Sequence, residues 1–595
     1  MLRKFIKFVA ILAALLAVAI ASTGCFKFDD YKGFIRAEGR IMVDEDGKEY
    51  IIEAINFGND AMSYITEANP NYGEETYAEL AEMGLNSVRF LINYNLFEDD
   101  ENPYVYKESG FEWLDTNIEY AKKHGLRLIL DMHVPQGGYQ SWDRDARRSA
   151  DGYDEGDSLW VHEENQKRLA ALWKAIAERY ADEPVILGYG VLNEPMVAVA
   201  GFAKSDDPAV KYEKAITLYQ KVLDEITASI REVDNNHIIF IQRLYAIKNL
   251  NDDTEYWVTV NEDNNFFLVD DDNVVYEFHF YAPNKYTHQG GTGSTSTDYT
   301  YGDENGVIAT NVTYKNLSVS PRASLNTDEW QFVQTGVLKF NNESWNVLGI
   351  GVNAASLGAN GTAYFDNFVL KEYDENYEFV QDVYYEYFEW AEWEGFYMWD
   401  PNYTATLKVT DDVCYEGDEC LSISGSLGEA SVNKYAFKPT QGHYYQLTGY
   451  VKLENVERTA NVTIRVMAGE AESVTYLTKD VVVDGIEAYI PFSEKYNVPI
   501  FCGEYGLTLR CFYKNEMRIN RNGEQWVSDV IDTFQKNNIG SAYHMYSGGR
   551  GYWGGSSGND FGMYQTYDKI QIDGDALNKT LKAILTEKFS DPTEE

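Results

Sequence analysis

Two glutamates 310 positions apart end runs that otherwise have little use for charge. Glu194 follows the apolar and small residues of "VILGYGVLN" (185–193), and Glu504 follows "VPIFCG" (498–503). Such runs form buried strands. A carboxylate, or an amide such as Asn193, is a poor choice at the end of one unless it acts there. Two carboxylates that face one another have a definite chemistry: one protonates the leaving oxygen of a glycosidic bond, and the other attacks the anomeric carbon or activates water.

Strands and helices alternate on either side of these glutamates. Candidate strands are 50–57, 86–92, 127–133, 185–194, 237–242 and 274–281, and helical periodicity covers 111–125, 165–182 and 212–234. This is the grammar of parallel βαβ units. A Gly/Ser/Thr-rich stretch, 288–306, reads as a linker. Short alternating runs with turn signals then continue to about residue 484, as in a β-sandwich. The earlier pattern resumes with a helix at 485–497, strands at 498–506 and 539–546, and two further helices. Eight βα units imply an α/β fold, a (β/α)8 TIM barrel (38–287 and 485–590), with a sandwich (307–484) inserted after strand six.

Composition narrows the partners. The formal charge of −45 argues against nucleic acid and anionic membrane surfaces, whereas a neutral ligand is not repelled. The 46 tyrosines suit surfaces that are partly apolar and partly wet, as a sugar ring requires. Arg3, Lys4 and Lys7 precede an apolar run ending in "STGC", which reads as a signal peptide over 1–24. The ending resembles a bacterial lipobox, with Ser22 where Leu is usual. It implies an exported lipoprotein that meets the membrane only through a lipid on Cys25, and ordinary secretion is the alternative. In an exported chain Cys414–Cys420 and Cys502–Cys511 are conceivable disulfides, with free buried thiols as the alternative.

In a TIM barrel catalytic groups sit at the C-terminal ends of strands, which here carry Arg89, His133, Asn193, Glu194, His279, Tyr281 and Glu504. "NSVRF", "LDMH", "LNEP", "FHFY" and "CGEYG", in this order, resemble glycoside hydrolase family 5, the cellulase family, over about 38–285 and 485–590. The resemblance implies Glu194 as acid/base and Glu504 as nucleophile, about 5–5.5 Å apart as in retaining enzymes. It implies Asn193 on the sugar 2-hydroxyl, Arg89 and Tyr281 supporting Glu504, and His133 and His279 lining the subsite of the attacked sugar. Arg89 as a structural ion pair and the histidines as core residues are the plain alternatives. Where the family carries a Trp at the end of strand eight, this chain has His544, with Tyr543, Tyr546 or Trp553 as substitute aromatic surface. The loop after strand three offers Gln136, Tyr139 and Trp142.

The insert resembles a carbohydrate-binding jelly roll whose back half precedes its front half, which implies a circular permutation; two separate sandwiches are the alternative. Trp390, Trp393 and Trp399 either stack on sugar or pack, and Asp270–Asp272 either hold calcium or form a solvated loop. These readings lead to a retaining endo-β-1,4-glucanase that needs no cofactor or metal. β-Mannan, xyloglucan and other β-glucans are alternative substrates, and an inactive glycan-binding lipoprotein is the rival of another class.

Overall fold

A computed structural model describes residues 33–61, 66–68, 72–138, 158–201, 207–251, 254–258, 266–289, 299–325, 329–386, 388, 396–411, 413–512, 521–547, 561–564 and 577–590. The leader with Cys25, and also Tyr139, Trp142, Trp390, Trp393 and Trp553, lie outside these residues.

Eight parallel strands close into a barrel in chain order. They are Glu53–Phe57, Ser87–Asn93, Arg127–Val134, Ile186–Gly190, Ile238–Gln242, Val274–Phe280, Ile500–Tyr505 and Gly540–Ser547, strands one to eight. All their residues except Glu53 are buried, because helices cover the outside and side chains fill the inside. Burial on both faces is why these strands read as nearly continuous apolar runs.

The inside is layered. Ala54, Ile129, Phe240 and Val275 belong to one apolar cluster in the lower barrel. Side chains two residues further along a strand face the same way. The same interior rows therefore present Asn56, Asp131, Gln242 and Glu277 above that cluster, followed by His133 and His279. The polar layer lies toward the C-terminal ends of the strands, where a TIM barrel carries its chemistry.

Several elements differ from the sequence reading. Strand four stops at Gly190, so Asn193 and Glu194 lie beyond it. The helix that resumes the barrel starts at Lys479 rather than 485, and breaks into Lys479–Glu487 and Ile490–Tyr496, with Pro491 in the first turn of the second. Its Val481-Val482-Val483 run favours a strand locally, but packing of Val482 and Ile486 into the barrel core prevails. The described ends of the 288–306 stretch are docked: Gln289 and Tyr301 are buried, and the Tyr301 hydroxyl donates to Asp529.

The insert leaves and rejoins the barrel through paired antiparallel strands, Val307–Thr310 and Ser473–Tyr476. A five-stranded and a seven-stranded sheet make up the sandwich. Ile350, Phe365, Leu421, Leu447 and Ile464 share one apolar core, so the two halves of the insert pack together rather than as separate sandwiches. Trp399 is 62% exposed, on the terminal strand Phe396–Trp399 of the five-stranded sheet. Asp271 is held by Arg231 at 2.6 and 3.0 Å, and Asp270–Asp272 join no group of metal-ligating side chains among the described residues.

Neither disulfide forms: Cys414, Cys420, Cys502 and Cys511 all remain thiols. Cys502 is fixed inside strand seven, and Cys511 packs against Tyr286 and Gln289. Burial pushes the Cys511 thiol up to about 11 and Cys502 well above its usual value, which leaves both inert.

Candidate active site

Arg89 is the hub. It points inward from strand two and is fully buried. Its Nη1 donates to Asn56 Oδ1 (2.9 Å) and Glu504 Oε1 (2.8 Å). Its Nη2 donates to Asp131 Oδ1 (2.7 Å) and Asn193 Oδ1 (2.8 Å), and pairs with Glu277 Oε1 at 3.0 Å. One guanidinium thus ties strands one, two, three, six and seven to the loop after strand four. Only arginine offers enough fixed donors for this.

Glu504 is buried at the end of strand seven, and both of its oxygens are engaged. Arg89 holds Oε1, and the Tyr281 hydroxyl donates to Oε2 at 2.8 Å. Burial alone would raise its pKa. The positive charges of His279 and Arg89 overcome this and hold the carboxyl well below the usual carboxylate range. His544, also close, is held down to about 4 by burial and is neutral at ordinary pH. Glu504 is therefore an ionised group with a fixed direction. Gly503 makes room for the arrangement: a Cβ there would sit 1.7 Å from Glu277 Oε1.

Glu194 is set differently. Its side chain is 17% exposed, so the carboxyl reaches the open end of the barrel. Its backbone is left-handed (φ +39°), a region that non-glycine residues rarely adopt. Two contacts fix this turn: the Glu194 N–H donates to Gln242 Oε1, and the Asn193 N–H donates to the Met132 carbonyl at 3.1 Å. His279 stands between the two glutamates, with Nδ1 3.0 Å from Glu194 Oε1 and 3.4 Å from Glu504 Oε2. One oxygen of each glutamate and a nitrogen of His279 lie within 4.8 Å of one another. The 310-residue separation in sequence closes to one side chain's breadth.

Burial would lower His279, but the surrounding carboxylates of Glu504, Glu194 and Glu277 push it up to about 9. A histidine raised in the folded state contributes stability that is complete below its unfolded pKa and is lost as the pH rises through the folded one. The window here runs from 6.5 to about 9. Urea unfolding is expected to show a loss on the order of 3 kcal/mol between about pH 6 and pH 9.5. A His279→Gln variant should lack that component. Equal slopes in the two proteins would show that His279 does not carry a proton through this range.

Arg89, His133, Asn193, Glu194, His279, Tyr281, Glu504 and His544 converge here. His133 is oriented through Nδ1 by Asp131 Oδ2 at 3.1 Å, and His544 Nδ1 lies 3.7 Å from Glu504 Oε2. The substitute aromatics differ from expectation. Tyr543 packs on Tyr505 and Tyr546 on Phe57 and Tyr72, both in the core outside the site. Phe561 instead sits beside Tyr281, His288 and His544, with ring centroids 5.0–6.2 Å away. Gln136 is buried and donates to Glu98 Oε2 at 2.8 Å, so it braces the loop after strand three from within. Asp131 and Glu277, which are not strand-end residues, join the site through Arg89. Each precedes a site histidine by two residues in an apolar strand, and that spacing marks a shared face.

The family model described as Cellulase (glycosyl hydrolase family 5) matches residues 43–394, more than half the chain. This chain belongs to glycosyl hydrolase family 5. The matched range ends before strands seven and eight, so the placement of Glu504 rests on the geometry above. Endoglucanase C of Acetivibrio thermocellus is 31% identical over 216 residues, 36% of this chain and 52% of that protein. Cellodextrinase A of Ruminococcus flavefaciens is 28% identical over 245 residues, 41% and 62%. A β-xylosidase of Phanerodontia chrysosporium is 29% identical over 240 residues, 35% and 46%. The chain spans about half the length of these curated relatives. Among solved structures, Thermotoga maritima Cel5A in complex with cellobiose is 16% identical, with 90% of this chain and 97% of that chain covered at a TM-score of 0.40.

Proposed function

We propose that this protein hydrolyses β-linked glucan, most readily in the β-1,4 linkage and within the chain, with retention of anomeric configuration. The carrying observation is the pair of carboxylates within 4.8 Å in two unlike environments. Retaining glycosidases hold their carboxyl groups about 5–5.5 Å apart, whereas inverting ones leave room for a water at about 6.5–9.5 Å.

In this reading Glu504, ionised and aimed by Arg89 and Tyr281, attacks the anomeric carbon. Glu194 gives its proton to the departing glycosidic oxygen. A glycosyl ester forms on Glu504 as the bond to the leaving sugar breaks. Glu194, now a carboxylate, takes a proton from water, whose oxygen attacks the same carbon and frees Glu504. Asn193, its Oδ1 tied to Arg89, turns its amide nitrogen toward the sugar 2-hydroxyl, a contact that strengthens in the transition state. The names of the relatives, endoglucanase and cellodextrinase, support β-glucan as the substrate class.

Proton NMR during hydrolysis of cellopentaose tests both parts. The β-anomer of the new reducing end is expected first, and the α-anomer only by later mutarotation. Initial α-product would remove the retaining mechanism. Cleavage of mannan, xyloglucan or β-1,3-glucan with no action on β-1,4-glucan would remove the substrate assignment.

A further inference from the structure

The outer face of the seven-stranded sheet in the insert carries aromatic side chains with no role in its core. Phe332, Tyr377, Phe379 and Tyr415 are each 41–56% exposed. The strand Tyr444–Glu454 shows how they are arrayed. Tyr445, Leu447, Val451 and Leu453 point into the sandwich core, so Tyr444, Gln446, Thr448, Tyr450 and Lys452 point out. At one end Phe332 lies opposite Tyr450, and Tyr415 stacks on Tyr450 with centroids 3.5 Å apart and planes at 14°. At the other end Tyr444, Tyr373 and Phe379 are cross-strand neighbours, and Tyr377 stacks on Tyr373 at 5.1 Å and 9°. Six residues of strand separate the two platforms, about 20 Å.

The first platform is built with care. Asp366 is fully buried, yet its carboxylate accepts the backbone N–H groups of Asn367 (2.7 Å), Tyr415 (2.8 Å) and Glu416 (3.1 Å). A fully buried carboxyl group thus fixes the loop that carries an exposed ring. Between the platforms the face's lysines are already paired, Lys452 with Glu454 at 3.1 Å and Lys371 with Asp382 at 3.0 Å, while acidic residues flank the exposed rings at Tyr377 and Tyr415.

We propose that this face binds a neutral, extended β-linked glycan, with pyranose rings stacked on the two platforms and hydroxyls bonded to the polar band between them. A protein partner would call for one contiguous apolar centre rather than two aromatic platforms at the ends of a polar strip. The acids beside both platforms and the overall charge of −45 disfavour a polyanion. The identity of the sugar rests on the function proposed above, while the surface itself does not.

The test uses the full chain carrying Glu504→Gln, in affinity electrophoresis through gels containing hydroxyethylcellulose, with polygalacturonate as a charged comparator. Retardation by hydroxyethylcellulose is expected. It should weaken about tenfold in Phe332→Ala/Tyr415→Ala and again in Tyr377→Ala/Phe379→Ala. With Glu504 restored, both double variants should hydrolyse a short chromogenic cellobioside at the unsubstituted rate. If a double variant loses its circular dichroism, the single Phe332→Gln and Phe379→Gln variants carry the test. Undiminished retardation in all of them, retardation by polygalacturonate alone, or self-association that these changes abolish would overturn the proposal. Retention that is lost in the variants, with no cellobioside hydrolysis by the unsubstituted chain, would uphold this face and remove the hydrolase reading instead.

Discussion

Replacing Glu504 by alanine is expected to lower kcat on β-1,4-glucan by about 10⁴- to 10⁶-fold, with the fold intact. In the proposed mechanism this carboxylate forms the glycosyl bond, and it is held at one oxygen by Arg89 (2.8 Å) and at the other by Tyr281 (2.8 Å). Removing it also removes a buried negative charge from a site that keeps two others beside Arg89, Asp131 and Glu277, so the cation stays compensated. Above about pH 9, where His279 has lost its proton, the variant should therefore unfold at a urea concentration close to that of the parent; at lower pH it should lose the part of the His279 stabilisation that Glu504 supplies. Azide offers a second readout. A small anion fits the space left by the side chain and attacks the anomeric carbon from the same side, which gives an α-glycosyl azide and partial recovery of the rate. Hydrolysis unchanged in Glu504→Ala would eliminate the assigned nucleophile and the mechanism with it.

Arg89→Met is expected to have the largest effect on stability, a loss of about 3–5 kcal/mol together with loss of activity. The guanidinium is fully buried and pairs with Asp131, Glu277 and Glu504, at 2.7, 3.0 and 2.8 Å. Breaking a buried ion pair from one side leaves uncompensated charge in a medium that solvates it poorly. Here three carboxylates would be stranded at once. Arg89→Lys restores one charge but not the fork of donors that reaches Asn56, Glu504, Asp131 and Asn193. It should recover part of the stability and little of kcat. The double variant Arg89→Met/Glu277→Gln should be more stable than Arg89→Met alone, because it removes one of the stranded charges. Urea unfolding of the four proteins checks the order. An Arg89→Met protein as stable as the parent would mean that the barrel interior solvates these carboxylates without the arginine.

The barrel was legible because its physics repeats along the chain. Strands buried on both faces need apolar runs, and the helices that cover them need an apolar stripe, so Arg127–Val134 or Gly523–Lys536 announce themselves locally. The working end was legible for the opposite reason: Glu194, His279 and Glu504 contradict the runs they end. Asp131 and Glu277 were harder to see because each stands inside a strand, where one polar residue among apolar ones resembles a tolerated exception. Only closure of the barrel brings the two to a common arginine.

The sequence alone determined the alternation of elements, the place of the insert and the residue types at the strand ends, since these follow from periodicity and from the cost of burying charge. Tertiary structure alone decided three things. It set which oxygen of Glu504 meets Arg89, and it placed Phe561, rather than Tyr543 or Tyr546, beside His544. It also buried the Cys502 and Cys511 thiols against different partners, the Glu504 carbonyl and the Tyr286 carbonyl. Each of these depends on burial and contacts that closure of the barrel fixes and local pattern does not encode.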